Sequence, residues 1–206
     1  MSFLICALIG YALGCLPFAV IVSRVMGLQD PRQYGSGNPG ATNVLRSGNK
    51  RAALFTLAGD ALKGVTAVIV VRYFAGAIGL NAAEPDTGAL LAGFAAFVGH
   101  VFPITLGFKG GKGVATAAGV LLSATPVVGL IVLSVWLGVA ILTRYSSLAA
   151  ICAALAAPIA GGWLLANVQA VALLATMSAL LIWRHKDNIR RLLAGAESRI
   201  GQKKKT

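Results

Sequence analysis

The stretch VATAAGVLLSATPVVGLIVLSVWLGVAILT, Val114 to Thr143, runs for 30 residues without a charge. One membrane crossing takes roughly 20 apolar residues, so this run is long for a single span, and Pro126 interrupts it. Lys112 stands just before it and Arg144 just after it. Bases in short connections stay on the cytosolic side of a membrane. If both do so here, the chain between them must cross and return. The run then divides into Val114–Ala124 and Val127–Thr143, turning near Thr125 and Pro126. The first piece is short, so a re-entrant segment shielded by protein is the alternative.

Five further apolar runs surround this pair: Phe3–Met26, Ala52–Ala75, Gly88–Leu106, Ser147–Leu165 and Val168–Trp183, the last two split by Ala166 and Asn167. Arg24, Arg32, Arg46, Lys50 and Arg51 cluster around the first connection, and Lys109 and Lys112 occupy the third. Arg184, Lys186, Arg190, Arg191, Arg199 and Lys203 to Lys205 fill the tail, residues 184–206. The connection Gly76–Thr87 has no base and carries Glu84 and Asp86. The pattern predicts an all-α polytopic membrane protein of about seven segments, with the N-terminus outside and the C-terminus cytosolic. Segments two, four and six then begin at the cytosolic face, where free N–H groups and positive dipole ends favour anions.

Composition agrees. The chain is 57% hydrophobic and only 12% charged, about half the charge of a soluble domain. The whole chain reads as one membrane domain, with no soluble domain of any size. A net charge of +12 is compatible with nucleic acid, but the bases lie between apolar runs, where they orient the chain and meet anionic lipid. Nucleic acid is therefore excluded as a partner. Cys6, Cys15 and Cys152 lie in apolar stretches and read as packing residues, without disulfide or metal spacing. The first run lacks a basic leader and reads as a retained span, not a cleaved signal peptide.

Two connections are rich in glycine and bases. The first, Gly35-Ser-Gly-Asn-Pro-Gly-Ala-Thr-Asn-Val-Leu-Arg46, offers backbone N–H groups to an anion and an arginine that can grip phosphate twice. It matches G-x-G-x-x-G. However, it follows a membrane helix instead of a strand, and the acid about 20 residues on, Asp60, lies inside a span, so a dinucleotide site is rejected. A flexible loop is the plainer reading, but two asparagines, a serine and a threonine exceed what a turn needs. The second is His100-Val-Phe-Pro103, then Phe108-Lys-Gly-Gly-Lys-Gly-Val-Ala-Thr116. It is not a Walker A loop, because Gly113 stands where Ser or Thr would hold magnesium. Two lysines on a glycine loop at a helix start still suit phosphate. Positive-inside lysines alone would not explain Gly110, Gly111 and Gly113 together.

A third group is split: Arg144-Tyr-Ser-Ser147, Arg184-His-Lys-Asp-Asn188 and Gly195-Ala-Glu197. Ser146 and Ser147 would ordinarily be helix caps. His185 and Asn188 are three apart and share a face if their helix continues. Asp60 and Lys63 lie inside the second span, where charges are costly and so paired; a structural i,i+3 pair is favoured over a proton or ion relay. His100 by itself reads as a helix-packing histidine.

Taken together, these residues resemble the bacterial acyl-phosphate:glycerol-3-phosphate acyltransferases over nearly the whole chain. The carriers are Gly35–Arg46, His100–Thr116 with its F-K-G-G-K-G core, the Arg144–Ser147 group with His185, Asn188 and Glu197, and Asp60-Ala-Leu-Lys63-Gly. The resemblance implies transfer of a fatty acyl group from acyl-phosphate to the 1-hydroxyl of glycerol 3-phosphate, giving lysophosphatidic acid and phosphate in the bacterial cytoplasmic membrane. It implies that Ser36, Arg46, Ser147 (or its neighbour Ser146), His185 and Asn188 hold the acceptor. It also implies that Asn38, Thr42, Asn43, Lys109 or Lys112, and Gly110, Gly111 and Gly113 cradle the donor phosphate. Ser36, Arg46, Lys109, Ser147, His185 and Asn188 form the catalytic set, with His100, Asp60, Lys63 and Glu197 as further motif residues. No cofactor and no metal are implied. The partners are the two substrates and the lipid bilayer, and a contact with the peripheral enzyme that makes acyl-phosphate is left open.

The chemistry suits the residues. Two phosphate-bearing substrates need two anion sites, and acyl-phosphate is already activated. Neither G-x-S-x-G nor H-x-x-x-x-D occurs: Thr105 and Arg190 stand five residues after His100 and His185. Direct attack, driven by positioning and electrostatics, follows. The rival is an anion transporter, which also aims helix N-termini at an anion. It calls for an inverted repeat and polar residues facing outward, and neither is evident.

Overall fold

The structure, a computed structural model, describes residues 1–82 and 84–202. The bases Lys203 to Lys205 of the predicted tail lie outside the described residues. Among the described residues every regular element is helical. The chain divides into two compact units, Met1–Pro126 and Val127–Thr206. The boundary falls at the break that the long apolar run predicts.

The first unit contains α1 (Ser2–Gly14), α2 (Phe18–Val25), the short α3 (Ala41–Leu45), α4 (Lys50–Tyr73), the single turn α5 (Ala75–Ile78), α6 (Pro85–Val101) and α7 (Val114–Ala124). The second contains α8 (Pro126–Thr143), α9 (Ser146–Leu164), α10 (Val168–Arg184) and α11 (Lys186–Leu193). Among the described residues five stretches are long and apolar enough to cross a membrane: Ser2–Val25, Lys50–Tyr73, Asp86–Leu106, Pro126–Thr143 and Ser146–Leu164. Counting the bent pair α10–α11 as one span gives six, and α7 is a shorter apolar helix.

The run Phe3–Met26 forms one candidate span, Ser2–Val25, but not one continuous helix. It breaks at Cys15–Pro17, because proline has no N–H to continue the ladder. Nor does the last helix continue past His185: α10 and α11 meet there at 58°, so His185 and Asn188 do not lie on one straight helix face. Inside a bilayer, backbone groups freed by a break must find protein partners. At the first break they do: Thr105 Oγ1 donates to the Cys15 carbonyl (2.6 Å) and Lys63 Nζ to the Leu16 carbonyl (2.9 Å). Tyr11 Oη similarly caps the Phe102 carbonyl where α6 ends (2.9 Å).

Helices in lipid gain little from burying apolar surface, so they associate through close packing of small residues. In the first unit Gly10 and Gly14 of α1 lie against the backbone of Ala92 and Ala96 on α6, leaving no room for a Cβ. Gly64 of α4 meets Thr116 of α7, and Gly119 of α7 meets Ala61 of α4, in the same way. α4 also packs on α6, which makes it the centre of the unit.

At the far end of α4, Arg72 pairs with Asp86 (2.9 Å) and donates to the Ser123 and Ala124 carbonyls (2.9 and 3.3 Å). It thereby caps α7 with a cation at its negative end. Because Arg72 lies inside the run Ala52–Ala75, a count of bases over the connections does not see it.

Replacing Gly14 by alanine should force α1 off α6 and lower stability by roughly 1–3 kcal/mol, the ordinary cost of overpacking. Gly138 has open space around it, so Gly138→Ala should leave the thermal midpoint unchanged or slightly raised. Thermal unfolding of both variants in one detergent checks the contrast.

Candidate active site

The first glycine loop is built around Asn43. This side chain is buried (1% exposed). Its Oδ1 accepts the Ser36 N–H (2.9 Å), and its Nδ2 donates to the Pro31 and Tyr34 carbonyls (2.7 and 3.2 Å). Both ends of the amide therefore staple the loop. Gly35 and Gly37 have φ of +60° and +67°, which other residues adopt at a cost, and a Cβ on Gly35 would run into the Asn43 amide. Asp30 caps the turn Pro31–Gln33 by accepting the Arg32 N–H (2.9 Å). On this frame Ser36, Thr42 and Arg46 are exposed, Asn38 is half-buried, and Arg46 closes α3.

The second loop returns under the end of α6. Gly110 N–H donates to the Val101 carbonyl and Gly111 N–H to the His100 carbonyl, both at 3.1 Å. Gly113, at φ +84°, starts α7, and a Cβ there would strike the Phe97 ring. The residue that breaks the Walker pattern is thus required by backbone shape and packing. Lys109 is exposed and Lys112 half-buried at the start of α7. Below the loop lies a wholly buried charged group. Asp60 Oδ1 stands 3.1 Å from Lys63 Nζ and 3.3 Å from His100 Nδ1, with the three residues 3%, 3% and 7% exposed. A small cavity of about 10 Å³ is lined by Pro39, Asp60, Lys63, His100, Gly110 and Gly111 among others, so both glycine loops border it.

In the second unit Glu197 is the hub. Its Oε1 accepts from Ser147 Oγ (2.8 Å) and Asn188 Nδ2 (2.5 Å), and its Oε2 accepts from Arg191 Nε (2.6 Å). The tail is held in place by Arg144, whose carbonyl accepts the Ile200 N–H (2.7 Å). Ser147 therefore acts as a donor to Glu197, and α9 has no side-chain cap. His185 sits at the α10–α11 corner with Nδ1 2.8 Å from the Leu181 carbonyl. A carbonyl only accepts, so Nδ1 carries a proton, and in the neutral ring Nε2 is the basic nitrogen. Sequence reasoning names Ser147, Asn188 and Glu197 but misses Arg191, which reaches Glu197 across the Gly195 turn, beyond any helical spacing rule.

Burial alone would raise the Glu197 carboxyl. The hydrogen bonds from Asn188, Arg191 and Ser147, with the Arg191 charge, outweigh burial and hold it below its ordinary value of 4.5. A carboxylate depressed in the folded state stabilises above its unfolded pKa and stops doing so as pH falls through its folded pKa. Glu197→Gln should therefore lose roughly 1.5–3 kcal/mol at pH 7, the worth of charged hydrogen bonds. The gap to wild type should close only below the ordinary carboxylate range. Thermal unfolding from pH 7 down to pH 3 reads this directly.

The geometry can be set beside known proteins. A family model described as glycerol-3-phosphate acyltransferase matches residues 4–195. A protein of that name from Paraburkholderia phymatum is 58% identical over 206 residues, covering all of this chain and 96% of its own. One from Aromatoleum aromaticum is 56% identical over 204 residues, covering 99% and 100%. Among solved structures, PlsY (YgiH), an integral membrane glycerol 3-phosphate acyltransferase in its glycerol 3-phosphate form, superposes with a TM-score of 0.85 at 36% identity, covering 98% of this chain and 96% of that one. The same enzyme in its lysophosphatidic acid form gives 0.83 at 35% identity, with the same coverage. The chain belongs to the glycerol-3-phosphate acyltransferase family of multi-pass membrane enzymes.

Proposed function

We propose that this enzyme transfers a fatty acyl group from acyl-phosphate to the 1-hydroxyl of sn-glycerol 3-phosphate, at the cytosolic face of a bacterial inner membrane. The observation that carries this reading is the pair of glycine-and-base loops in the first unit, each rigidly stapled from below. Two phosphorylated substrates need two such sites. The hydroxyl oxygen attacks the acyl carbon, and the bond from that carbon to the bridging oxygen breaks. Phosphate leaves with the electron pair and takes up the hydroxyl proton, so the products are lysophosphatidic acid and inorganic phosphate.

In this reading Lys109, Lys112 and the N–H groups of Gly110 to Gly113 stabilise the departing phosphate. Asn38 and Thr42 lie beside it, and Asn43 shapes the first loop from beneath. Ser36 and Arg46 take the acceptor phosphate. Ser147, His185 and Asn188 have acceptor-holding roles as well, with Glu197 fixing Ser147 and Asn188. The seven-segment topology, N-terminus outside, belongs to the same proposal, with α7 as the crossing that completes the odd number. A similar solved enzyme described in a lysophosphatidic acid form supports the product assignment.

The deciding assay supplies purified protein with acyl-phosphate and glycerol 3-phosphate and scores lysophosphatidic acid. Turnover should occur without added metal and should be absent with acyl-coenzyme A, since no H-x-x-x-x-D base is present. Equal rates from the thioester would overturn the donor assignment.

Arg46 separates the two phosphate sites. Arginine matches two phosphate oxygens with a planar fork, whereas lysine offers one point charge. Arg46→Lys should raise the Michaelis constant for glycerol 3-phosphate roughly ten- to a hundredfold, one charge-assisted hydrogen bond's worth, with little change for acyl-phosphate. Unchanged constants would mean that Arg46 only anchors the chain at the membrane surface.

A further inference from the structure

The charged group beneath the second loop has no part in the chemistry above, yet three titratable side chains are buried in it. Charges in a membrane helix persist only when paired and purposeful. A simple structural pair would need only Asp60 and Lys63, one turn apart on α4. Here the pair reaches out on both sides. Lys63 Nζ also donates to the Leu16 carbonyl at the α1–α2 break (2.9 Å). Asp60 also faces His100 Nδ1 (3.3 Å) at the end of α6.

His100 in turn meets the loop twice. Its carbonyl receives the Gly111 N–H (3.1 Å). Its imidazole occupies the space into which any Cβ on Gly111 would project. Asp60 therefore orients a ring that forms the floor of the loop, while Lys63 ties the same carboxylate to the helix break. Gly110 and Gly111 rest on this assembly, and Lys109 and Lys112 flank them.

We propose that Asp60, Lys63 and His100 are positioning residues: a buried ionic brace that sets the height and orientation of the glycine loop at Gly110–Gly111, and through it the affinity of the phosphate the loop holds. None of the three touches substrate. The proposal rests on the functional reading above for its substrate assignment, but not for the existence of the brace.

The test uses the full-length chain in detergent or lipid nanodiscs. Because Asp60→Asn alone would strand a buried ammonium, the informative variant is the double change Asp60→Asn with Lys63→Met, which removes both charges. His100→Gln removes the ring and shifts the donor, whereas His100→Asn keeps a donor near the Nδ1 position. Hydrogen exchange reads the brace without turnover. The amides of Gly110 and Gly111 should exchange about tenfold faster or more in the double variant and in His100→Gln, with the helical amides of α7 unchanged. His100→Asn should recover part of the protection.

In steady-state kinetics the Michaelis constant for acyl-phosphate should rise about tenfold, with that for glycerol 3-phosphate within about twofold of wild type. Unchanged exchange at Gly110 and Gly111 in folded variants, or an equal rise in both constants, would overturn the brace. If wild type itself shows no turnover, the functional reading fails and the exchange result alone decides the brace.

Discussion

Asp60 and Lys63 lie on the buried face of a helix whose neighbouring positions Leu57, Leu62 and Ile69 are exposed apolar residues. Neither charge could remain there alone: removing one partner of a buried pair costs about 3–5 kcal/mol. The pair is therefore a commitment that the rest of the first unit has to honour. α4 must stay against α6 so that His100 reaches Asp60. The α1–α2 break must stay near α4 so that Lys63 meets the Leu16 carbonyl. The contacts that make this possible are the glycine and alanine crossings of α1 on α6 and of α4 on α7, where backbones approach without intervening side chains.

This arrangement resolves a conflict that any membrane enzyme for phosphorylated substrates faces. The substrates demand cations and exposed N–H groups, whereas the bilayer demands that every backbone group be satisfied. The chain meets both by placing its irregular backbone at helix ends and stapling it with buried side chains. Asn43 staples the first loop, the ends of α6 staple the second, and Glu197 gathers Ser147, Asn188 and Arg191 in the second unit. Ser36, Thr42, Arg46 and Lys109 remain exposed, as the proposed phosphate sites require.

Much of this is legible in the sequence because it is local. Apolar runs mark the helices within a few residues, Pro126 marks the α7–α8 turn, and the i,i+3 spacing pairs Asp60 with Lys63. The glycine loops are visible as composition and as family resemblance. The failures are non-local. Glu197 collects donors six, nine and 50 positions away, and no periodicity links them. His100 joins Asp60 from another helix, and Arg72 caps α7 from inside an apolar run. The bend at His185 also escapes, since Trp183 to Asn188 contains neither proline nor glycine to announce it.

In the proposed seven-segment topology all three polar groups face the cytosol, which requires α7 to complete an odd number of crossings. Cysteine labelling in sealed cells tests it. Single cysteines at Gly48, Ala82 and Gly195, all exposed, would be introduced after Cys6, Cys15 and Cys152 are replaced by alanine. Gly48→Cys and Gly195→Cys should react only with membrane-permeant reagent, and Ala82→Cys with impermeant reagent as well. Labelling of Gly195→Cys from outside would contradict the topology, because the chain would then cross an odd number of times between its first loop and its tail, leaving the third polar group on the wrong side.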